Sequence, residues 1–149
     1  MKRATCLDDL LDRKAEPFAS FHDATLSNIH IDYKLKTLSA EFKVCVGSPD
    51  DPEEINRERT RNGVLSLTGL VLWAIEPPEI QRKKEWGQPW LTHDSLMEEA
   101  TAEYGKNLAA IIGQDVYAWF MYFRDMNAFG YCICHEASFE WKGTHNQAL

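Results

Sequence analysis

The stretch VYAWFMYFRDMNAFGYCICHEASFEW, Val116 to Trp141, decides the fold. Aromatic and β-branched residues fill two runs, Val116 to Arg124 and Ala128 to about Glu136. Asp125-Met126-Asn127 separates them, and strand texture resumes at Ser138 to Trp141. Such side chains fit a pleated, half-buried surface, and the short break predicts sequential antiparallel pairing. The same stretch holds Cys132-x-Cys134-His135-Glu136, the cluster most like a zinc site, since thiolate and imidazole are the usual ligands. Strand parity works against that reading. Cys132, Cys134 and Glu136 point to one face while Tyr131, Ile133 and His135 point to the other, so the donors converge only across a bulge. Cys132, Cys134 and His135 therefore stand as weak metal candidates. Buried structural cysteines are the reading the spacing favours.

Outward from this tract, period-two alternation recurs. Ile29, Ile31 and Tyr33 alternate with Asn28, His30 and Asp32 from Thr25 onward. Lys34 to Lys36 turn the chain, and Leu38, Ala40, Phe42, Val44 and Val46 alternate with Ser39, Glu41, Lys43 and Cys45. The pair predicts an antiparallel hairpin. Gly47 to Asn62, charged and holding two prolines, is expected to be an exposed connection of mixed-charge surface. Val64 to Ile75 is nearly continuous in apolar residues and predicts a central strand covered on both faces, with Gly69 marking a bulge or a close backbone approach.

Two helices are expected beside these strands. Cys6 to Ala15 carries Leu7, Leu10 and Leu11 on one stripe behind a Thr5 cap. Ser95 to Ile112 opens on a Ser95/Glu98 capping box and ends at Gly113. The expected fold is thus a single α+β domain over residues 1–149. It has a mainly antiparallel sheet of five or six strands, one long helix on one face and a short N-terminal helix.

Composition narrows function. A chain of 149 residues with 44% apolar content can bury a core without staples, and four cysteines without a C-x-x-C pair imply free thiols. The N-terminus lacks the apolar core of a signal peptide and no apolar run is long enough to span a bilayer, so a cytoplasmic protein with no membrane contact is expected. A net charge of -7 has the wrong sign for a phosphate backbone, and the arginines and lysines at 57–61 and 82–84 are interleaved with or flanked by glutamates. No nucleic-acid partner is expected. Nucleophile elbows, phosphate loops and H-E-x-x-H are absent, and no cofactor is expected.

If a catalytic site is assembled from distant residues, the candidates are His22, His30, Asp32 and His135, polar groups set in strands. Trp86 and Trp90, flanked by turn formers and charges, are the candidates for a protein-binding surface.

The opening strand, Phe21-His22-Asp23-Ala24-x-Leu26-x-x-Ile29-x-Ile31-Asp32, with Leu38 and Phe42 on the return, resembles a pattern in small bacterial α+β proteins. Some of these are similar to immunity proteins that neutralise polymorphic toxins. The likeness spans Phe21 to Glu76. It implies a binding role and transfers no catalytic residue. Two readings follow: a non-enzymatic protein-binding domain, of immunity type, or a small metal- or histidine-dependent enzyme with a sheet-lined pocket. Oligomeric state is open.

Overall fold

The computed structural model describes residues 6–76, 90–96, 115–124 and 128–143. Six strands make an antiparallel closed barrel: β1 (Ser20–Asp32), β2 (Thr37–Cys45), β3 (Thr60–Ile75), β4 (Trp90–Leu96), β5 (Tyr117–Phe123) and β6 (Ala128–Trp141). Their order around the barrel is β1-β2-β3-β6-β5-β4. Two meanders, β1-β2-β3 and β4-β5-β6, are joined along the β3–β6 ladder and again at a short seam. That seam consists of Ala24 opposite Leu91 and Thr25 opposite Trp90.

This architecture corrects the expected α+β class. Among the described residues the helical content is a 3-10 turn at Leu7–Leu10 and a single helical turn at Glu54–Arg57. The short N-terminal helix shrinks to that 3-10 turn because β1 claims its carboxylate: Asp8 accepts the Phe21 N–H at 2.7 Å and the Ser20 hydroxyl at 3.1 Å. Thr5 lies outside the described residues. The helix expected from Ser95 fails at its start, since Ser95 and Leu96 belong to β4 and pair with Phe120 and Trp119 of β5. Its remainder, 97–112, lies outside the described residues. The immediate neighbour Asp94 instead receives the Leu7 N–H at 2.7 Å, so it caps a turn from another part of the chain.

Every strand sends side chains into one interior cluster. Phe21, Leu26, Leu38, Phe42, Leu65, Leu67, Leu91, Trp119, Met121, Cys132, Cys134 and Phe139 are all buried there. Phe21 stands edge-on to both Phe42 and Phe139, with ring centroids 5.3 and 5.2 Å apart. Such T-shaped contacts match the ring quadrupoles and fill the lumen with a packed core. A second cluster, Ala118, Phe120, Tyr131 and Ile133, occupies the opposite face of β5 and β6. Two-sided burial explains the almost unbroken apolar run in β5. In the first half of β3 the outward residues Val64 and Ser66 are only half-buried and Thr68 is exposed, so the cover expected on both faces is incomplete there.

At Gly63 the strand makes room for an aromatic ring: a Cβ there would run into Phe139 Cζ, which packs diagonally across the β3–β6 ladder. The expected irregularity at Gly69 is present. Its φ is +58°, a Cβ would meet the His135 Cβ at 2.8 Å, and the β3–β6 register shifts between Leu70 and Leu72. On either side of that shift Leu70, Trp73 and Ile75 pack on the interior cluster while Leu72 joins the outer one.

The connection before β3 is exposed as expected, but strand begins at Thr60 and the arginines are not all solvated. Arg61 shares the inward parity of Gly63 and Leu65, and its guanidinium meets the buried Glu16 carboxylate at 3.2 Å. It also donates to the Gly143 carbonyl at 2.9 Å and lies over the Trp141 ring at 5.3 Å. Arg59 reaches the same carboxylate at 3.7 Å. No helix among the described residues is long and apolar enough to cross a membrane.

Candidate binding surface at the hairpin end of the barrel

Backbone chemistry builds this end of the molecule. Asp32 closes β1 by accepting the N–H groups of Lys34 and Leu35 at 3.0 and 2.9 Å, an Asx turn that reverses the chain. Lys36 completes the reversal with φ +55°, and its carbonyl accepts the Leu70 N–H at 2.8 Å just past Gly69. The hairpin tip is thereby pinned to β3. The turn residues themselves are Tyr33, Lys34, Leu35 and Lys36, two of them large and apolar where polar turn formers usually stand.

The result is an exposed apolar cluster. Tyr33 is 84% exposed, Leu35 67% and the bulge residue Val71 59%. Between the tip and the far half of β3 runs an open groove of about 510 Å³, lined by Ile31, Asp32, Tyr33, Lys36 and the run Leu70 to Trp73. Monomeric proteins rarely leave contiguous apolar surface uncovered, and aromatic side chains in such patches are common binding anchors.

A second groove of about 500 Å³ lies at the other end of β3, lined by Glu16, Phe18, Ser48, Asp51, Asn56 and Arg59 among others. Its polar groups are largely engaged with one another. Asp51 accepts the Glu53 N–H at 2.9 Å and the Asn56 amide at 3.3 Å, and Glu16 faces the two arginines. That groove reads as the seam between the N-terminal segment and the barrel.

The expected catalytic residues are spread over the outer wall. His22 and His30 are eight residues apart on β1, about 26 Å along an extended strand. Asp32 is engaged in its turn. His135 lies on β6 against Gly69, and the row beside it, Glu136 to Thr68 to Thr37, leads through β3 and β2 to Asp32, about 14 Å across three interstrand spacings. His22 pairs locally with Asp23 at 3.1 Å, where Asp23 adopts φ +68° at a bulge in β1. No group of three histidine, cysteine or acidic residues among the described residues could hold a metal ion.

Cys132 and Cys134 are buried on the interior face and His135 is exposed, as the alternation expected, but Glu136, expected on the cysteines' face, is exposed as well, so strict alternation ends at Cys134. A hydrogen bond with the Cys134 thiol, then burial, pushes the Cys132 thiol well above its ordinary range. Burial likewise raises Cys45, with Asp23 adding to it, and raises Cys6, with Asp94 and Asp9 adding to it.

Of the expected binding residues, Trp86 lies outside the described residues and Trp90 opens β4 at the β1 seam. Sequence reading passed over Tyr33, Leu35 and Val71. It placed Tyr33 on the buried face with Ile29 and Ile31, whereas β1 ends at Asp32.

Comparison of the chain with protein-family models, with curated proteins and with solved structures gives no match.

Proposed function

We propose that this protein is a non-enzymatic binding protein that engages a protein partner through the hairpin end of its barrel, in the manner of an immunity-type protein acting in the cytoplasm. The observation that carries this reading is the exposed cluster of Tyr33, Leu35 and Val71 beside a groove walled by Leu70, Leu72 and Trp73. An aromatic anchor held on a rigid turn loses little conformational freedom on binding, which is what an interface centre requires. Lys34, Lys36 and Asp32 around it supply a polar rim. A packed lumen and widely separated histidines give the alternative, a histidine- or metal-dependent enzyme with a sheet-lined pocket, less to stand on.

The test is affinity capture from the source cell with the full chain as bait, followed by a binding titration of the captured protein. Tyr33→Asp and Val71→Lys should each weaken that binding, with unchanged circular dichroism, while His22→Ala and His135→Ala leave it alone. Equal capture by wild type and both surface variants overturns the assignment.

A further inference from the structure

The groove beside the hairpin tip is apolar along Leu70, Val71, Leu72 and Trp73, and the cation on its rim is Lys36. Lys34 and Lys36 are both exposed, and neither takes part in an ion pair among the described residues. The carboxylate beside them, Asp32, is held in the turn by the Lys34 and Leu35 N–H groups. Two free ammonium groups therefore flank the exposed Tyr33 and Leu35 on a protein whose net charge is -7.

The whole chain and its tip thus call for partners of opposite sign, and distance decides between them. Exposed charges more than about 8 Å apart are largely screened at physiological ionic strength. Glu136 stands about 9.5 Å from Thr37 across two interstrand spacings, and Glu41 is about 13 Å along β2 from Thr37 and paired with Lys142. A surface docked on the tip meets the two lysines directly and these acids only through salt. Covering the lysines with an apolar or basic surface would strip their water and return no counter-charge.

We infer that the segment this surface binds is acidic. An apolar side chain enters the groove against Leu70 and Trp73, a neighbouring carboxylate meets the Lys36 ammonium, and Lys34 draws a second acid to the outer side of the tip. The Lys36 carbonyl holds the Leu70 N–H, so the root of its side chain is fixed at the rim. The groove favours a protein segment over an anionic membrane, because a concave site of about 510 Å³ is filled by side chains and not by a flat bilayer. This inference rests on the binding reading above and adds the chemistry of what is bound.

Panning a displayed library of random peptides on the immobilised full chain is the test. Lys36→Glu, Tyr33→Asp and Val71→Lys are panned in parallel, with circular dichroism confirming the fold of each. Peptides enriched on wild type should carry Asp or Glu beside Leu, Phe or Trp. Titrated by fluorescence anisotropy, they should bind Lys36→Glu about tenfold more weakly, since like charges then face each other, and should weaken as salt is raised. Lys34→Glu should show a smaller loss, and Lys36→Glu should itself select Lys or Arg in place of the acids. Basic or uncharged peptides on wild type overturn the inference, as do acidic ones that bind Lys36→Glu equally well. If such peptides still lose affinity on Tyr33→Asp, the binding surface stands and its acidic preference alone falls. Acidic peptides that weaken on Lys36→Glu yet ignore both Tyr33→Asp and Val71→Lys do the reverse. Failure to enrich any peptide overturns the inference too. So does cosedimentation with phosphatidylcholine vesicles containing phosphatidylglycerol that Lys36→Glu abolishes, which would assign the lysines to a lipid surface.

Discussion

Replacing Glu16 with alanine should cost this protein a large part of its stability. The Glu16 carboxylate is 5% exposed, and it faces Arg61, whose side chain is 10% exposed, at 3.2 Å. Removing it leaves a buried guanidinium whose remaining polar bond is to the Gly143 carbonyl and whose Nε has no hydrogen-bond partner. Breaking a buried pair in this one-sided way costs about 3 to 5 kcal/mol. The Arg59 contact adds little, because it is longer at 3.7 Å and that side chain is 33% exposed, where solvent screens the interaction.

A loss of about 3 kcal/mol would lower the melting temperature by roughly 6 to 12 °C in a chain of this size. Thermal melts by circular dichroism and urea titration by tryptophan fluorescence would measure it. Glu16→Gln, which keeps an acceptor for Arg61, should lose less than Glu16→Ala. The double change Glu16→Leu with Arg61→Met should recover part of the loss, since it leaves no orphaned charge. A loss below about 1 kcal/mol for Glu16→Ala, the scale of a surface ion pair, would refute the reasoning.

Two further expectations concern the strands and the thiols. Gly69→Ala forces a side chain into φ +58° and against His135, and Gly63→Ala drives a Cβ into the Phe139 ring, so each should cost about 1 to 3 kcal/mol in urea titration. Equal stability of either variant and wild type would contradict the stated packing. Cys132 and Cys134 should resist a thiol reagent in the folded protein and react once urea unfolds it, with Cys6 and Cys45 slower than a free thiol. Because the folded pKa of Cys132 lies above its unfolded value, the folded state holds its proton longer. Its contribution is therefore complete below the unfolded thiol pKa of about 8.5 and is lost as pH rises from there toward the folded value. Urea midpoints measured across that alkaline window should fall, and more steeply for wild type than for Cys132→Ala.

Five of the six strands were legible because their alternation is local. Phe42, Val44 and Leu65 declare the interior face by themselves, and the Gly69 irregularity shows as a glycine inside an apolar run. The parity that separates Cys132 and Cys134 from His135 needed only the strand period.

β4 was hidden because its local signals point elsewhere. Ser95 with Glu98 makes a credible cap, and the evidence for strand is pairing with Phe123 to Trp119, residues distant in sequence. Arg61 was legible in principle, since it keeps the inward parity of Gly63, Leu65 and Leu67, but its charge argued for solvent. Its Glu16 counter-charge comes from a segment with no periodic signal. The binding surface had one overlooked cue, apolar Tyr33 and Leu35 within a tight turn.

The seam between β1 and β4 has a mechanical consequence. Elsewhere around the barrel long ladders share any load, but among the described residues the circle is closed by Ala24 and Thr25 alone. A closed sheet yields where the fewest bonds must break together, so thermal breathing and applied force should both part the wall along that line. The two meanders would then hinge about the long β3–β6 ladder like the covers of a book about its spine.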